Sequence, residues 1–191
     1  MITVMSRCLN SKEQSKWIEQ VRDVLRAAPL VRPTMRDGTP FRVRISGAGA
    51  LGWVADGGYR YSPTQKNGQP WPPIPTNWIR LADEVAGEQP WDSAIINWYD
   101  ENASLGWHPD VNERDLTRPV FTVSLGDACA WAVREDSSSP IHETRLESGD
   151  ITVLEGPTRD WLHTVKKIIA DPLFSPLKTR GRISITLRVA G

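Results

Sequence analysis

The sequence after Trp91 leaves room for little but a β architecture. Five short runs, "AIINWYD" (94–100), "VFTVSLG" (120–126), "ACAWAV" (128–133), "DITVLEG" (150–156) and "RISITLRVAG" (182–191), are rich in β-branched and apolar residues, with turn residues between them. No regular helix separates them, so the pattern predicts a sandwich or barrel rather than a parallel sheet with crossover helices. The last run is the most informative. Ile183, Ile185, Leu187 and Val189 fall on one face and must be core, while Arg182, Ser184, Thr186 and Arg188 fall on the other. That second face is either an exposed edge or an interior holding two guanidinium groups, and an interior guanidinium needs an anionic partner.

The first half reads differently. Ser11-Lys-Glu-Gln14 has the form of a capping box, and the helix it opens carries Trp17, Val21, Val24 and Leu25 at helical spacing, ending before Pro29. Residues 30–75 are rich in Gly and Pro, with aromatics at Phe41, Trp53, Tyr59, Tyr61 and Trp71, and read as hairpins and loops outside the core. Thr76 is placed to cap a second helix in which Trp78, Leu81, Ala82 and Val85 share a face. With no linker in view, one mainly β (α+β) domain is expected over residues 1–191. Residues 1–91 would form helices and a lid laid on a β core of residues 92–191.

Charge and cysteine content narrow the classes. Lys+Arg is 23 and Asp+Glu is 23, so no overall field draws the chain to nucleic acid. The bases are concentrated at the N-terminus (Arg7, Lys12, Lys16, Arg22, Arg26, Arg32, Arg36, Arg42, Arg44) and from Lys166 onward, and the acids between Asp83 and Asp160. The basic ends are either a rim for phosphates or an ordinary solvated surface. Cys8 and Cys129 form no disulfide framework or metal knuckle. No apolar run approaches the roughly 20 residues of a membrane span, and the N-terminus lacks the apolar stretch of a secretory signal. A monomer in a reducing cytoplasm, with no membrane partner, is expected.

In "LGWHPD" (105–110), His108 and Asp110 stand two apart, so in an extended segment both side chains point the same way. Such a pair is a turn, a piece of core, or two thirds of a metal site. A ferrous site of two histidines and one carboxylate leaves open positions for oxygen chemistry and needs a distant second histidine. Of the two candidates, His142 lies in a polar, turn-like segment, and His163 is the choice. Asn97 and Tyr99 in "INWYD" point together and offer an amide and a phenol, though this is also ordinary strand chemistry. Trp107, out of phase with His108, reads as core.

Taken in order, Asn97-x-Tyr99, His108-x-Asp110, "TVSLG" (122–126), "SGDITVLEG" (148–156), His163 and Arg182-x5-Arg188 resemble the AlkB family of iron(II)- and 2-oxoglutarate-dependent dioxygenases. Upstream, "LGW" (51–53), "GYRYSP" (58–63) and "PWPPIP" (70–75) are similar to that family's nucleotide-recognition region. The resemblance implies a double-stranded β-helix, or jelly roll, with iron at its mouth, held by His108, Asp110 and His163. It implies that Arg182, helped by Tyr99, grips the distal carboxylate of 2-oxoglutarate. Asn97 and Arg188 would lie near the other carboxylate, and Ser184 would contact the cosubstrate. The chemistry implied is decarboxylation of 2-oxoglutarate to succinate with O2, then hydroxylation of an N-alkyl group, which is lost as an aldehyde.

The implied substrate is an alkylated base in nucleic acid, DNA ahead of RNA, turned out of the helix into the pocket. Trp53 would stack on the base and Tyr59 contact the nucleotide backbone; Trp53 alternatively packs the lid. In repair enzymes of the family an acid stands two positions after the metal aspartate, where this chain has Asn112, an acceptor without charge. The alternatives are an oxygenase of the same chemistry acting on RNA, protein or a small molecule, and a non-catalytic β-sandwich binding module. A serine or cysteine hydrolase finds no support, because no Gly-x-Ser-x-Gly turn is present and Cys129 lies inside an apolar strand.

Overall fold

The structure is a computed structural model that describes residues 2–35, 37–55, 58–170 and 175–191. Arg36 of the basic N-terminal stretch lies outside them. The elements are β1 (Thr3–Met5), α1 (Ser11–Ala27), β2 (Arg44–Gly49), β3 (Gly52–Ala55), β4 (Tyr59–Ser62), α2 (Thr76–Ala86), β5 (Ser93–Tyr99), β6 (Leu105–His108), β7 (Val120–Gly126), β8 (Ala128–Arg134), β9 (His142–Leu146), β10 (Ile151–Leu154), β11 (Leu162–Ile169) and β12 (Arg182–Arg188). A 3-10 turn, Gly156–Thr158, lies between β10 and β11.

A six-stranded sheet runs β1-β10-β7-β12-β5-β2, a four-stranded sheet β6-β11-β8-β9, and β3-β4 is a separate hairpin. All the pairings are antiparallel. The two large sheets enclose the lumen of a jelly roll, as expected. The six-stranded sheet is covered on both sides. On its outer side Trp17, Ile18, Val21 and Val24 of α1 and Trp78 and Ala82 of α2 pack against Ile96, Val123, Ile151, Ile183, Ile185 and Leu187. Trp17 and Trp78 stack at 5.3 Å and tie the helices together. On its inner side Ile95, Tyr99 and Val120 meet Cys129, Trp131, Val133 and Val165 of the smaller sheet. This resolves the ambiguity of the last strand: β12 lies between β7 and β5, and all seven of its residues are buried. The arginine-bearing face is the lumen.

Several expectations require correction. The capping box begins one residue earlier, at Asn10. Its Oδ1 accepts the backbone N–H groups of Lys12 and Glu13, and Glu13 Oε2 accepts the N–H of Asn10. Glu13 brings a charged acceptor, whereas Gln14 is buried and its side chain bonds Leu9 O and the Ser148 hydroxyl. Thr76 is the first residue of α2 and not its cap; Pro75 precedes it without a side-chain bond. Residues 30–75 do not lie wholly outside the core, because β2 pairs with β5 along its full length. Its small residues, Gly47, Ala48 and Gly49, concealed it, and at Gly47 an added Cβ would meet Ala94 O at 3.1 Å and the Trp71 ring at 3.6 Å. His142 is in strand β9 and not in a loop. Trp107 is half-buried, with the Arg134 guanidinium 4.3 Å over its ring, so it covers the outside of the smaller sheet rather than its core.

Ile185, fully buried at the centre of β12, is the most direct probe of this packing. Replacement by alanine is expected to lower unfolding stability by about 2–5 kcal/mol in denaturant titration. A loss under about 0.5 kcal/mol, the range of ordinary surface substitutions, would contradict the two-sided burial of that strand.

Candidate active site

The lumen is lined by Asn97, Tyr99, His108, Asp110, Thr122, Trp131, His163, Arg182, Ser184, Thr186 and Arg188, among others. Register puts these side chains there. On β6 and β11, His108 and His163 are direct cross-strand partners, so their side chains emerge on one face. Their ring centroids are 4.4 Å apart. Asp110 follows β6 after Pro109 and is buried, with Oδ2 3.6 Å from His163 Nε2. His108, Asp110 and His163 each offer one ligand atom, all within 4.8 Å of one another. Two imidazoles and a carboxylate on one face are the donor set of non-haem ferrous oxygenases.

The histidine tautomers favour the same reading. Nδ1 of His108 lies 2.7 Å from Gly106 O and Nδ1 of His163 lies 3.2 Å from Trp161 O. A carbonyl can only accept, so in the neutral rings each Nδ1 carries the proton and each Nε2 keeps a lone pair. Metal-bound histidines are commonly oriented in this way. Burial, the largest effect, pushes the His163 pKa down to about 4 against the upward pull of Asp110, with His108 adding to the depression. Burial alone would raise the Asp110 carboxyl, but the charges of Arg188, His163 and His108 and a hydrogen bond from Arg188 hold it well below the usual carboxylate range. Asp110 is therefore ionised and His163 neutral near pH 7.

On the opposite sheet, β12 pairs Arg182 with Tyr99 and Ser184 with Asn97 on β5, and Ser184 with Ser124 on β7. The five residues predicted around the cosubstrate, Asn97, Tyr99, Arg182, Ser184 and Arg188, all lie on β5 and β12 and thus share the lumen with the histidines. The two arginines of β12 are treated differently. Arg188 Nη2 lies 2.7 Å from Asp110 Oδ2, and Nη1 lies 2.6 Å from Glu113 Oε1. Arg182 is 2 % exposed and donates Nη2 to the Ser124 hydroxyl at 2.8 Å, with its guanidinium 5.3 Å from the Tyr99 ring centroid. Its Nε and Nη1 have no hydrogen-bond partner, and no acid among the described residues forms an ion pair with it. A buried cation with vacant donors is costly unless an anion fills the site.

None of the predicted substrate residues lines the histidine cavity; Trp53 lines a separate one with Ile45, Val54 and Trp71. Trp53 on β3 and Tyr59 on β4 stack on each other at 5.3 Å, and Phe41 meets both edge-on at 6.2 and 6.1 Å. Trp53 Nε1 donates to Oδ1 of Asn112, 3.4 Å away on the exposed loop after Asp110. The buried charged residues Glu113 and Arg159 were not marked in the sequence, and half-buried Tyr61 was marked only as an aromatic and as part of the segment 58–63. Their side chains meet at the Glu113 carboxylate. Nothing in the local patterns marks Glu113 or Arg159, although Glu113 stands three residues after Asp110, one place beyond the position where an acid was sought.

The family model for the 2OG-Fe(II) oxygenase superfamily matches residues 1–188. The chain belongs to the AlkB family of these oxygenases. It is 34 % identical over 189 residues to the alpha-ketoglutarate-dependent dioxygenase AlkB homolog of Caulobacter vibrioides, spanning 95 % of this chain and 84 % of that one. It is 25 % identical over 173 residues to the nucleic acid dioxygenase ALKBH1 of Mus musculus, spanning 85 % of this chain and 41 % of that one. The solved structure of OsALKBH1 superposes with a TM-score of 0.84 at 22 % identity, covering 98 % of this chain and 96 % of that one. The protein is therefore a dioxygenase that uses Fe(II), 2-oxoglutarate and O2. No helix among the described residues is long and apolar enough to cross a membrane.

The depressed His163 pKa has a measurable consequence. A histidine in the unfolded chain titrates near about 6.5, above its folded value of about 4. As pH falls through that window the unfolded state takes up the proton first, so acid destabilises the fold. The metal-free protein is expected to lose denaturation free energy between pH 6.5 and 4 more steeply than a His163→Gln variant. Equal slopes would contradict the buried, neutral ring.

Proposed function

We propose that this chain is an oxidative demethylase of N-alkylated bases in nucleic acid, with DNA as the first substrate to test. The observation that carries the reading is Arg182: a buried guanidinium with two vacant donors, lining the same cavity as the His-Asp-His cluster. A dicarboxylate with one end at the metal and the other at Arg182 satisfies both. In this reading His108, Asp110 and His163 hold the iron through the two Nε2 lone pairs and the ionised carboxylate. Arg182 receives the distal carboxylate of 2-oxoglutarate, and its planar fork suits that group. The Tyr99 phenol, its pKa raised by burial, stays protonated and able to donate. Asn97, Ser184 and Arg188 line the rest of the cosubstrate's path, although both Arg188 terminal nitrogens already face acids, leaving Nε without a partner.

When bound, iron would let O2 oxidise both partners, one oxygen atom going to succinate as 2-oxoglutarate loses CO2 and the other turning an N-methyl C–H into C–OH. The protein's part is placement. The apolar lumen of Leu105, Val120, Trp131, Leu146 and Leu154 limits water around the reacting centre. The hydroxymethyl product on nitrogen loses formaldehyde without further help.

The nucleotide is assigned to the β3–β4 hairpin. Trp53 and Tyr59 offer the base and backbone a half-buried aromatic surface, and Asn112 stands beside it. That the mouse relative is a nucleic acid dioxygenase supports the substrate class. With an uncharged Asn112 and its oxygen engaged by Trp53, a cationic lesion gains no charge from that position. Residues 1–191 act as a single monomeric domain in this proposal. Two cysteines without a disulfide partner fit a reducing cytoplasm.

The test is formaldehyde and succinate release from oligonucleotides bearing 1-methyladenine or 3-methylcytosine, as DNA and as RNA, with ferrous iron, 2-oxoglutarate and air. Release from DNA at higher kcat/KM than from RNA is expected. Succinate without formaldehyde from either would retain the oxygenase and overturn the nucleic-acid reading. His108→Ala and Asp110→Ala are expected to reduce turnover to background. Arg182→Ala is expected to raise the half-saturating 2-oxoglutarate concentration about 10- to 100-fold, the loss of charged hydrogen bonds worth roughly 1.5–3 kcal/mol. An unchanged response would remove Arg182 from this role.

A further inference from the structure

Asp110 and Arg188 belong to a buried ionic cluster whose other members, Glu113 and Arg159, the proposed chemistry does not use. The Glu113 carboxylate has no exposure to solvent. Its Oε1 accepts the Tyr61 hydroxyl at 2.6 Å and faces Arg188 Nη1 at 2.6 Å, and its Oε2 accepts Arg159 Nη2 at 3.2 Å. Arg159 also donates Nη1 to the backbone carbonyl of Asp110 and Nε to that of Arg118, each at 2.6 Å. Arg188 reaches Asp110 Oδ2 with its other terminal nitrogen. Two guanidiniums thus face two carboxylates, and Asp110 is gripped at its side chain by one and at its backbone by the other.

The same cluster reaches the lid. Tyr61 is in β4, directly across from Trp53 in β3. Trp53 bonds Asn112 and Tyr61 bonds Glu113, so the hairpin is fastened twice to the segment that carries Asp110.

We propose that Glu113 is a positioning residue. By holding Arg188 and Arg159 it keeps Asp110 available as a ligand, and through Tyr61 it couples the seating of the β3–β4 hairpin to that ligand. The inference rests on the proposed roles of Asp110 and of the hairpin. Its physical basis is competition. Arg188 has two terminal nitrogens and divides them between two acids. With the Glu113 charge removed, Arg188 and Arg159 both face Asp110 as the one remaining carboxylate of the cluster. The carboxylate is then neutralised by arginine at the expense of the metal. Coupling between two binding events is reciprocal, so a nucleotide that seats the hairpin must tighten metal binding by the same factor that the metal tightens the nucleotide.

The experiment measures Mn(II) affinity of the metal-free protein by electron paramagnetic resonance of the free ion, with and without a methylated oligonucleotide. Wild type is expected to bind Mn(II) at least about 5-fold more tightly with the oligonucleotide present. Glu113→Gln, which keeps shape but not charge, is expected to weaken Mn(II) binding about 10- to 100-fold, the range found when residues supporting a metal ligand are changed. Tyr61→Phe, which removes one hydroxyl from the edge of the cluster, is expected to fold, to bind Mn(II) less than about 10-fold more weakly, below that range, and to lose the oligonucleotide effect. Mn(II) affinity within twofold of wild type in a folded Glu113→Gln protein would overturn the positioning role. An oligonucleotide effect that persists in Tyr61→Phe, or is absent from wild type, would overturn the coupling and needs no folded Glu113 variant. Asp110→Ala separates the two levels of inference. If it binds Mn(II) as wild type does, the ligand assignment fails. If it loses Mn(II) while Glu113→Gln keeps it, only the positioning role fails.

Discussion

Two guanidiniums are buried on one face of one strand, and among the described residues acids face only one of them. Arg188 faces Asp110 and Glu113, whereas Arg182 has a serine hydroxyl, a tyrosine ring and two vacant donors. Burying a cation in this way is unfavourable unless its missing partner arrives from outside. The jelly roll makes the burial possible. Helices α1 and α2 seal the outer face of the six-stranded sheet, so the inner face can be given to polar chemistry without loss of the apolar core. The histidines are supplied by the other sheet, as cross-strand partners on β6 and β11. Each sheet thus contributes one half of a dicarboxylate-and-metal site.

Charge within the lumen is arranged by partition rather than by sum. Asp110 is held ionised by arginine and by the two imidazoles, and His163 is held neutral by burial. A neutral imidazole and an ionised carboxylate are the forms a divalent cation requires. The chain's overall charge of +0 says nothing of this. The relevant balance is local, between four buried side chains that come from the loop after β6, the turn after β10 and the end of β12.

What the sequence disclosed follows from local rules. The 2-residue period of "RISITLR" identified both faces of β12, and the His-x-Asp spacing identified two residues that do converge with His163. Helix α1 was legible from its apolar stripe, with its cap displaced by one residue because Asn10 and Ser11 are both competent caps. The remainder depends on pairing between distant segments. Strand β2 has too few large side chains to announce itself, and β11 is polar at Lys166 and Lys167. Trp107 alternates correctly with His108, but the outer face of the smaller sheet is left partly open, so it stacks under Arg134 instead of joining a core. Tyr61, Glu113 and Arg159 are separated by tens of residues, and only the folded chain shows that Tyr61, Arg159 and Arg188 meet at the Glu113 carboxylate. The absent charge at Asn112 was visible in sequence; that the adjacent Glu113 turns inward was not.

The central claim is that one cavity holds a metal at His108, Asp110 and His163 and an anion at Arg182. A crystal structure of the protein grown with Mn(II) and 2-oxoglutarate tests it most directly. The account predicts the ion on those three side chains and the distal carboxylate in contact with the Arg182 guanidinium. An ion bound elsewhere, or a cosubstrate carboxylate that leaves Arg182 without a partner, would contradict it.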